Sequence, residues 1–223
     1  MDGEKWLPCA ERTWPLRIQG RPQLPVIRLG QVCFEQLQGA MLQAPLLPAL
    51  HQGTALKGMT SQGAAPTEEE LDGHFSRFLE YYSGNISAHS HPFEGAVEAL
   101  DRLAELGALL AVCTNKKQDL SDQLLGELGL APRFRAIVGA DSVPIRKPDG
   151  GHVINTVIAA GGDPARAIMV GDSRTDERAA RNAGLPFVFV PFGYEEETSD
   201  QIGPDVVLNH YSELVSCLAD LVS

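Results

Sequence analysis

Three short stretches carry side chains that could handle an anion and a divalent cation, and each follows an apolar run. Gly171-Asp172-Ser173-Arg174-Thr175-Asp176 follows Ala167-Ile168-Met169-Val170 and opens an Ala-rich helical pattern. Thr114-Asn115 follows residues 108–113, and Arg146-Lys147-Pro148-Asp149 comes a short loop after residues 136–139. Asp172 and Asp176 offer hard oxygen donors of the kind Mg²⁺ takes, usually one or two carboxylates with water and phosphate oxygens completing its shell. Asp176 would also suit the positive end of the helix that starts there. The Thr114 hydroxyl and the N–H groups of a helix start, Asn115 among them, can hold a phosphate. Lys147 could neutralise charge that develops on a phosphoryl oxygen. Taken singly, Thr114 reads equally as an N-cap, Lys147 as a solvated loop lysine, and the acids as helix caps. Taken in order, each at a strand end, they read as one Mg²⁺-and-phosphate site.

The elements that must position them alternate. Residues 108–113, 136–139, 167–170 and 187–190 are short apolar runs, the pattern of strands buried on both faces. Between them Val97, Leu100, Leu103 and Leu106, then Leu120, Leu124, Leu125 and Leu128, then Val153, Ile154, Val157 and Ile158 recur at helical spacing. A helix is expected from about 174 to 183, an edge strand at 205–208 and a closing helix at 212–222. This order predicts an α/β fold with a parallel sheet, and ligands at the carboxyl ends of its strands. Upstream, Thr67 and Glu70 form a capping box before a helix whose apolar face runs from Leu71 to Tyr82. His91-Pro92-Phe93 reads as a turn.

Residues 1–60 do not follow the pattern. Pro8, Pro15, Pro22, Pro25, Pro45 and Pro48 break any long helix. Val26–Leu29 could be a strand, and Phe34 to Leu50 one or two short helices. This segment carries 6 Lys/Arg against 4 Asp/Glu, whereas residues 61–223 carry 12 against 25. A net charge of −11 argues against nucleic acid and acidic membrane surfaces as partners. No apolar stretch is long enough to span a bilayer. Cys9, Cys33, Cys113 and Cys217 lack C-x-x-C spacing, which argues against a zinc site or disulfide framework and, with no signal-peptide pattern at the start, for a cytoplasmic chain. His89 and His91 have metal-compatible spacing but sit beside Pro92, where a hinge role is the better reading. Glu195-Glu196-Glu197 reads as a solvated loop.

Cys113-Thr114-Asn115-Lys116, Arg146-Lys147-Pro148-Asp149 and Gly171–Asp176 together resemble the second, third and fourth motifs of the haloacid dehalogenase superfamily, most closely its phosphoglycolate phosphatases. His91-Pro92-Phe93-Glu94-Gly95 and Phe192-Gly193-Tyr194 are similar to segments of the same enzymes, so the resemblance covers about residues 60–223. It implies a Rossmann-like core with a small helical cap, an aspartyl-phosphate intermediate, and a second aspartate as acid and base. It further implies that Thr114 binds the phosphoryl group, Lys147 stabilises the charge around it, Asp172 holds Mg²⁺ and Asp176 supports the metal shell. On this reading residues 1–60 are an anomalous segment (shifted in frame, or a diverged core strand and cap start), 61–90 the remainder of the cap, and 91–223 the core.

The family's first motif, Asp-x-Asp-Gly-Thr after an apolar strand, has no counterpart: no Asp-x-Asp occurs anywhere in the chain. Without the carboxylate nucleophile the covalent step has no attacking group. The expectation is therefore a Mg²⁺-dependent phosphomonoester hydrolase of the phosphoglycolate phosphatase type, impaired as written, acting on a small phosphorylated metabolite such as 2-phosphoglycolate, as a monomer or homodimer. The alternative is a noncatalytic phosphate-ligand or partner-binding protein on the same scaffold. Carbon–halogen hydrolysis is disfavoured, because that chemistry needs no metal and would need the same nucleophile.

Overall fold

The apolar runs become strands of one parallel sheet. In the computed structural model, which describes residues 31–34, 42–43, 81–88, 90–193 and 198–221, the sheet comprises β1 (Gln31–Phe34), β4 (Leu109–Cys113), β5 (Ala136–Val138), β6 (Ala167–Gly171), β7 (Phe187–Phe189) and β8 (Val206–Val207). Their spatial order is β5-β4-β1-β6-β7-β8. A separate antiparallel pair joins β2 (Leu42–Gln43) to β3 (His91–Pro92). The longer described helices are α1 (Ala96–Glu105), α2 (Gln118–Glu127), α3 (Gly150–Ala159), α4 (Arg174–Ala183) and, at the end, α6 (Leu214–Leu221), with a single-turn α5 (Ser199–Ile202) before β8.

Helices cover both faces of the sheet, as a parallel sheet requires. The two-residue period of β6 divides its side chains between two cores. Ile168 and Val170 pack with Leu100 and Leu103 of α1, Leu124 and Leu125 of α2, and Leu214 and Leu218 of α6. Ala167 and Met169 face the other way, onto Val153 and Val157 of α3 and Ala179 and Ala180 of α4. In β7, Val188 joins the first core while Phe187 and Phe189 join the second. Full burial of each such Val, Leu or Phe contributes about 1.5–3 kcal/mol.

Helix ends are set locally. Ser173 caps α4 in a reciprocal capping box with Asp176, and Gly184 closes it at φ 73°. Asp149 caps α3 by accepting from the Gly151 N–H at 2.8 Å. The same turns fix where the chain leaves each strand, and so where the side chains at the strand tips can go.

The structure departs from expectation mainly upstream. The strand sought at Val26–Leu29 falls outside the described residues, whereas Gln31–Phe34 is a strand and lies at the centre of the sheet. Gln31 is level with Leu109 on one side and Ala167 on the other, and Phe34 with Val112 and Val170. The central place is therefore filled. Where short helices were expected between Phe34 and Leu50, Phe34 ends β1 and Leu42–Gln43 pairs with His91–Pro92. His91-Pro92 is thus extended rather than a turn, because its ladder partner lies about fifty residues away and local sequence carries no trace of it. Of the helix expected up to Tyr82, the described residues 81–84 are helical. Its capping box, His89, Tyr194 and the Glu195–Glu197 run lie outside the described residues. Cys113 is buried and outside any disulfide, but Cys217 is disulfide-bonded, which linear cysteine spacing did not indicate.

Candidate active site

Because β4, β1 and β6 are adjacent and parallel, the residues leaving β4 and β6 emerge at one sheet edge on either side of β1. Thr114, immediately after β4, is 1% exposed. Its N–H continues the ladder to Val138 O at 3.0 Å, and its hydroxyl oxygen accepts the Lys116 N–H at 3.1 Å. The hydroxyl proton can then be donated outward.

Lys147 reaches this edge from the loop after β5. It is 2% exposed, and its Nζ donates to the Cys113 carbonyl at 2.7 Å and to Asp176 Oδ1 at 3.3 Å. Both members of that ion pair have fully buried side chains. The Cys113 carbonyl directly precedes Thr114, so the lysine is held against the residue that offers the hydroxyl. The Lys147–Pro148 peptide is cis.

Asp176 is spoken for. Besides Lys147, it receives the Ser173 N–H at 3.1 Å and the Ser173 hydroxyl at 2.7 Å on Oδ2. A Cβ on Gly171 would come within 2.6 Å of Asp176 Cβ, so the strand end must be glycine for the carboxylate to sit there. Asp176 thus orients Lys147 and caps α4. Asp172 takes the rim position at the end of β6, 2% exposed. The loop after β7 lies directly on it: a Cβ on Gly193 would come within 2.4 Å of both Asp172 Cβ and Oδ2.

The Asn115 side chain links two loops. Its Nδ2 donates to the Lys147 carbonyl at 3.0 Å, tying the β4 tip to the lysine loop, and its buried Oδ1 has no hydrogen-bond partner. Thr114, Asn115, Lys147, Asp172 and Asp176 are therefore brought together, with Asn115 and Asp176 bracing the others. Among the described residues, no three His, Cys, Asp or Glu side chains group closely enough to enclose a metal.

Sequence reading assigned no role to three further groups. His152, fully buried in the first turn of α3, lies 3.3 Å through Nε2 from the Val138 carbonyl. A carbonyl can only accept, so Nε2 carries the proton and Nδ1, which has no partner, is bare. Burial, and then the Lys147 charge, hold its pKa below the ordinary value. Tyr211 is 1% exposed, its hydroxyl has no hydrogen-bond partner, and burial followed by the Asp172 charge pushes its pKa far up. Its ring lies 6.4 Å from Phe93 and 5.7 Å from Phe192, beside the Gly193 loop. Lys116, half-buried, donates to the Tyr82 hydroxyl, with its Nζ 4.8 Å from the centre of the Tyr82 ring. Burial lowers its pKa to about 8. Lys116 stood inside a quoted motif, yet nothing local pointed to a tyrosine 34 residues upstream.

Comparison with known proteins identifies the family and the fold. Residues 50–190 match the sequence profile of the family described as haloacid dehalogenase-like hydrolase. A phosphoglycolate phosphatase from Caulobacter vibrioides is 44% identical over 168 residues, which are 75% of this chain and 71% of that protein. One from Agrobacterium fabrum is 42% identical over 151 residues, 68% of this chain and 65% of its own length. The crystal structure of a predicted phosphoglycolate phosphatase from Haemophilus somnus superposes with a TM-score of 0.73 at 25% identity, covering 85% of this chain and 97% of that one. The chain belongs to the haloacid dehalogenase-like hydrolases.

Proposed function

We propose that the chain carries the phosphomonoester site of a Mg²⁺-dependent phosphatase of the phosphoglycolate phosphatase type, and that as written it turns substrate over poorly or not at all. The observation that carries the reading is the buried Lys147–Asp176 pair held against the β4 tip, with Thr114 beside it and Asp172 across β1. A lysine neutralised from behind and hydrogen-bonded to the residue before a free hydroxyl makes a rigid seat for a dianion. Preorganised donors of this kind stabilise phosphoryl-transfer charge at no reorganisation cost.

Asp172 suits Mg²⁺ by its donor chemistry: one buried, hard carboxylate at the rim, with room in the ion's preferences for water and phosphate oxygens. Bound there, Mg²⁺ would offset phosphate charge. Asp176 would support that arrangement through Ser173 and Lys147 rather than by contact. Thr114 donates its hydroxyl proton to a phosphoryl oxygen, Lys147 balances the charge on the group in transfer, and Asn115 keeps the two loops in register.

The attacking group is the weak point. β1 ends at Phe34, and the sequence continues Glu35-Gln36-Leu37-Gln38-Gly39. One carboxylate follows the strand, and a leucine stands two residues later, where the family's acid–base aspartate is expected. A leucine cannot protonate a leaving oxygen. This supports a core strand retained beside a lost or diverged first motif, with residues 61–90 as the rest of the cap and 91–223 as the remaining core. The substrate we favour is 2-phosphoglycolate, by similarity to the named relatives; a cytoplasmic monomer or homodimer fits the composition. Among the described residues, no helix is long and apolar enough to cross a membrane.

Hydrolysis of p-nitrophenyl phosphate with and without Mg²⁺ tests the reading. Little or no turnover is expected, together with Mg²⁺-dependent binding of inorganic phosphate. Fast turnover abolished by Asp172→Ala would mean that a nucleophile has been overlooked. Absence of both turnover and phosphate binding would remove the phosphate site itself.

A further inference from the structure

Lys116 is a partly buried ammonium two residues past Thr114 that the mechanism above does not use. Its backbone is fixed at both ends: its N–H donates to Thr114 Oγ1 at 3.1 Å, and its carbonyl accepts from the Ala140 N–H at 2.9 Å. The root of the side chain is thus welded to the phosphoryl-binding turn. The far end goes to Tyr82, hydrogen-bonding its hydroxyl and lying 4.8 Å from the ring centre. Tyr82 is itself held in place, since the segment that carries it is pinned to α2. Ser83 Oγ donates to Gln123 Oε1 at 2.8 Å, Gln123 Nε2 donates back to the Ser83 carbonyl at 2.9 Å, and Ser87 bonds Glu127.

Lys147 has a buried carboxylate to balance it. Lys116 has none among the described residues; a neutral hydroxyl and a ring face are its contacts. Burial is the sole resolved cause of its lowered pKa, with no neighbouring anion among the described residues to compensate. A half-desolvated cation without a counter-ion is costly, and an anion brought beside it relieves that cost.

We propose that Lys116 reads a second anionic group on the substrate, a carboxylate close to the phosphate, and that Tyr82 parks the ammonium when no substrate is bound. The proposal rests on the phosphomonoester reading of the same rim and adds to it a selection rule: phosphate esters with an adjacent carboxylate bind in preference to neutral esters of the same size. Thr114 and Lys147 hold the phosphate, and Lys116, two residues past Thr114, meets the other end of the molecule.

Calorimetric titration of this chain in excess Mg²⁺ tests it, with 2-phosphoglycolate and 2-hydroxyethyl phosphate as the two probes. They match in length, and one carries the carboxylate. The wild-type chain is expected to bind 2-phosphoglycolate about tenfold more tightly, the worth of one charge-assisted contact. Lys116→Gln should reduce that preference to within about twofold and leave 2-hydroxyethyl phosphate unchanged, while Lys116→Arg retains it. Tyr82→Phe keeps the ring, removes the parking hydroxyl, and should leave 2-phosphoglycolate bound at least as tightly. Equal affinity for the two probes in the wild type, or a preference that survives Lys116→Gln, overturns the proposal while leaving the phosphate site standing. So does a matched loss of melting temperature in Lys116→Gln and Tyr82→Phe with no change in preference, which would make the pair a structural latch. Failure of both probes and of inorganic phosphate to bind would instead reject the phosphomonoester reading underneath.

Discussion

Lys147 and Asp176 are both fully buried, so neither can shed its partner cheaply. Removing one leaves an uncompensated charge in the core, at a cost of about 3–5 kcal/mol. Lys147→Ala should therefore lower the urea midpoint strongly, and Lys147→Ala with Asp176→Ala should recover part of the loss. Equal destabilisation by single and double variants would deny the coupling. Lys116 supplies a pH test. Its folded-state pKa is lowered to about 8 from 10.5, so its protonated form is penalised by folding. Below about pH 8 that penalty is complete; it fades between about 8 and 10.5, where the unfolded chain holds the proton and the folded chain does not. The stability of the wild type relative to Lys116→Met should thus rise across that window, measured by denaturant unfolding at pH 7.5 and 10. The Tyr82 hydroxyl and ring are the groups facing this ammonium among the described residues, and a flat difference would contradict its burial as a cation. At this scale the positions of Thr114 and Asp172 were legible because each directly follows an apolar run that became a strand. The sequence was silent on Lys116–Tyr82 and on the Gly193 contact, because those meetings are made by folding and an aromatic on a helix reads first as packing.

The elements explain why the rim is rigid. β6 ends in Gly171 because Asp176 occupies the space of a Cβ, and the loop after β7 needs Gly193 because Asp172 occupies its space. Neither position requires an unusual backbone angle; both require an absent side chain. Gly193→Ala should shift Asp172 by pressing on its Cβ, reducing Mg²⁺-dependent phosphate binding at least tenfold, with a fall in stability within the 1–3 kcal/mol typical of overpacking. Binding unchanged in Gly193→Ala would mean that Asp172 does not need this seat. The strands β4, β6 and β7 were readable as continuous apolar runs because both faces are buried. β1 was not: four residues, Gln31–Phe34, in a proline-rich stretch give no period to detect, and its place between β4 and β6 comes from pairing with partners far along the chain.

For the whole molecule, the central question is what the proposed phosphate rim can do in a sequence with no Asp-x-Asp. The sheet is closed at its centre by β1, and on the proposed reading the phosphate seat is built by Thr114 and Lys147 on other loops. Replacing residues 35–39 by Asp-Leu-Asp-Gly-Thr should therefore raise Mg²⁺-dependent p-nitrophenyl phosphate turnover by at least about 10²-fold, the scale of a restored acid–base step. No gain, with the fold intact by circular dichroism, would place the defect elsewhere. The most direct measurement is the melting temperature of the unaltered chain as inorganic phosphate and Mg²⁺ are added together, beside Asp172→Asn. Ligand at about 100 times its Kd stabilises by about 2.7 kcal/mol, several degrees for a domain of this size. The expected result is such a rise in the wild type, needing both components, and none in Asp172→Asn. A wild type indifferent to phosphate and Mg²⁺, or an equal rise in the variant, would contradict the account.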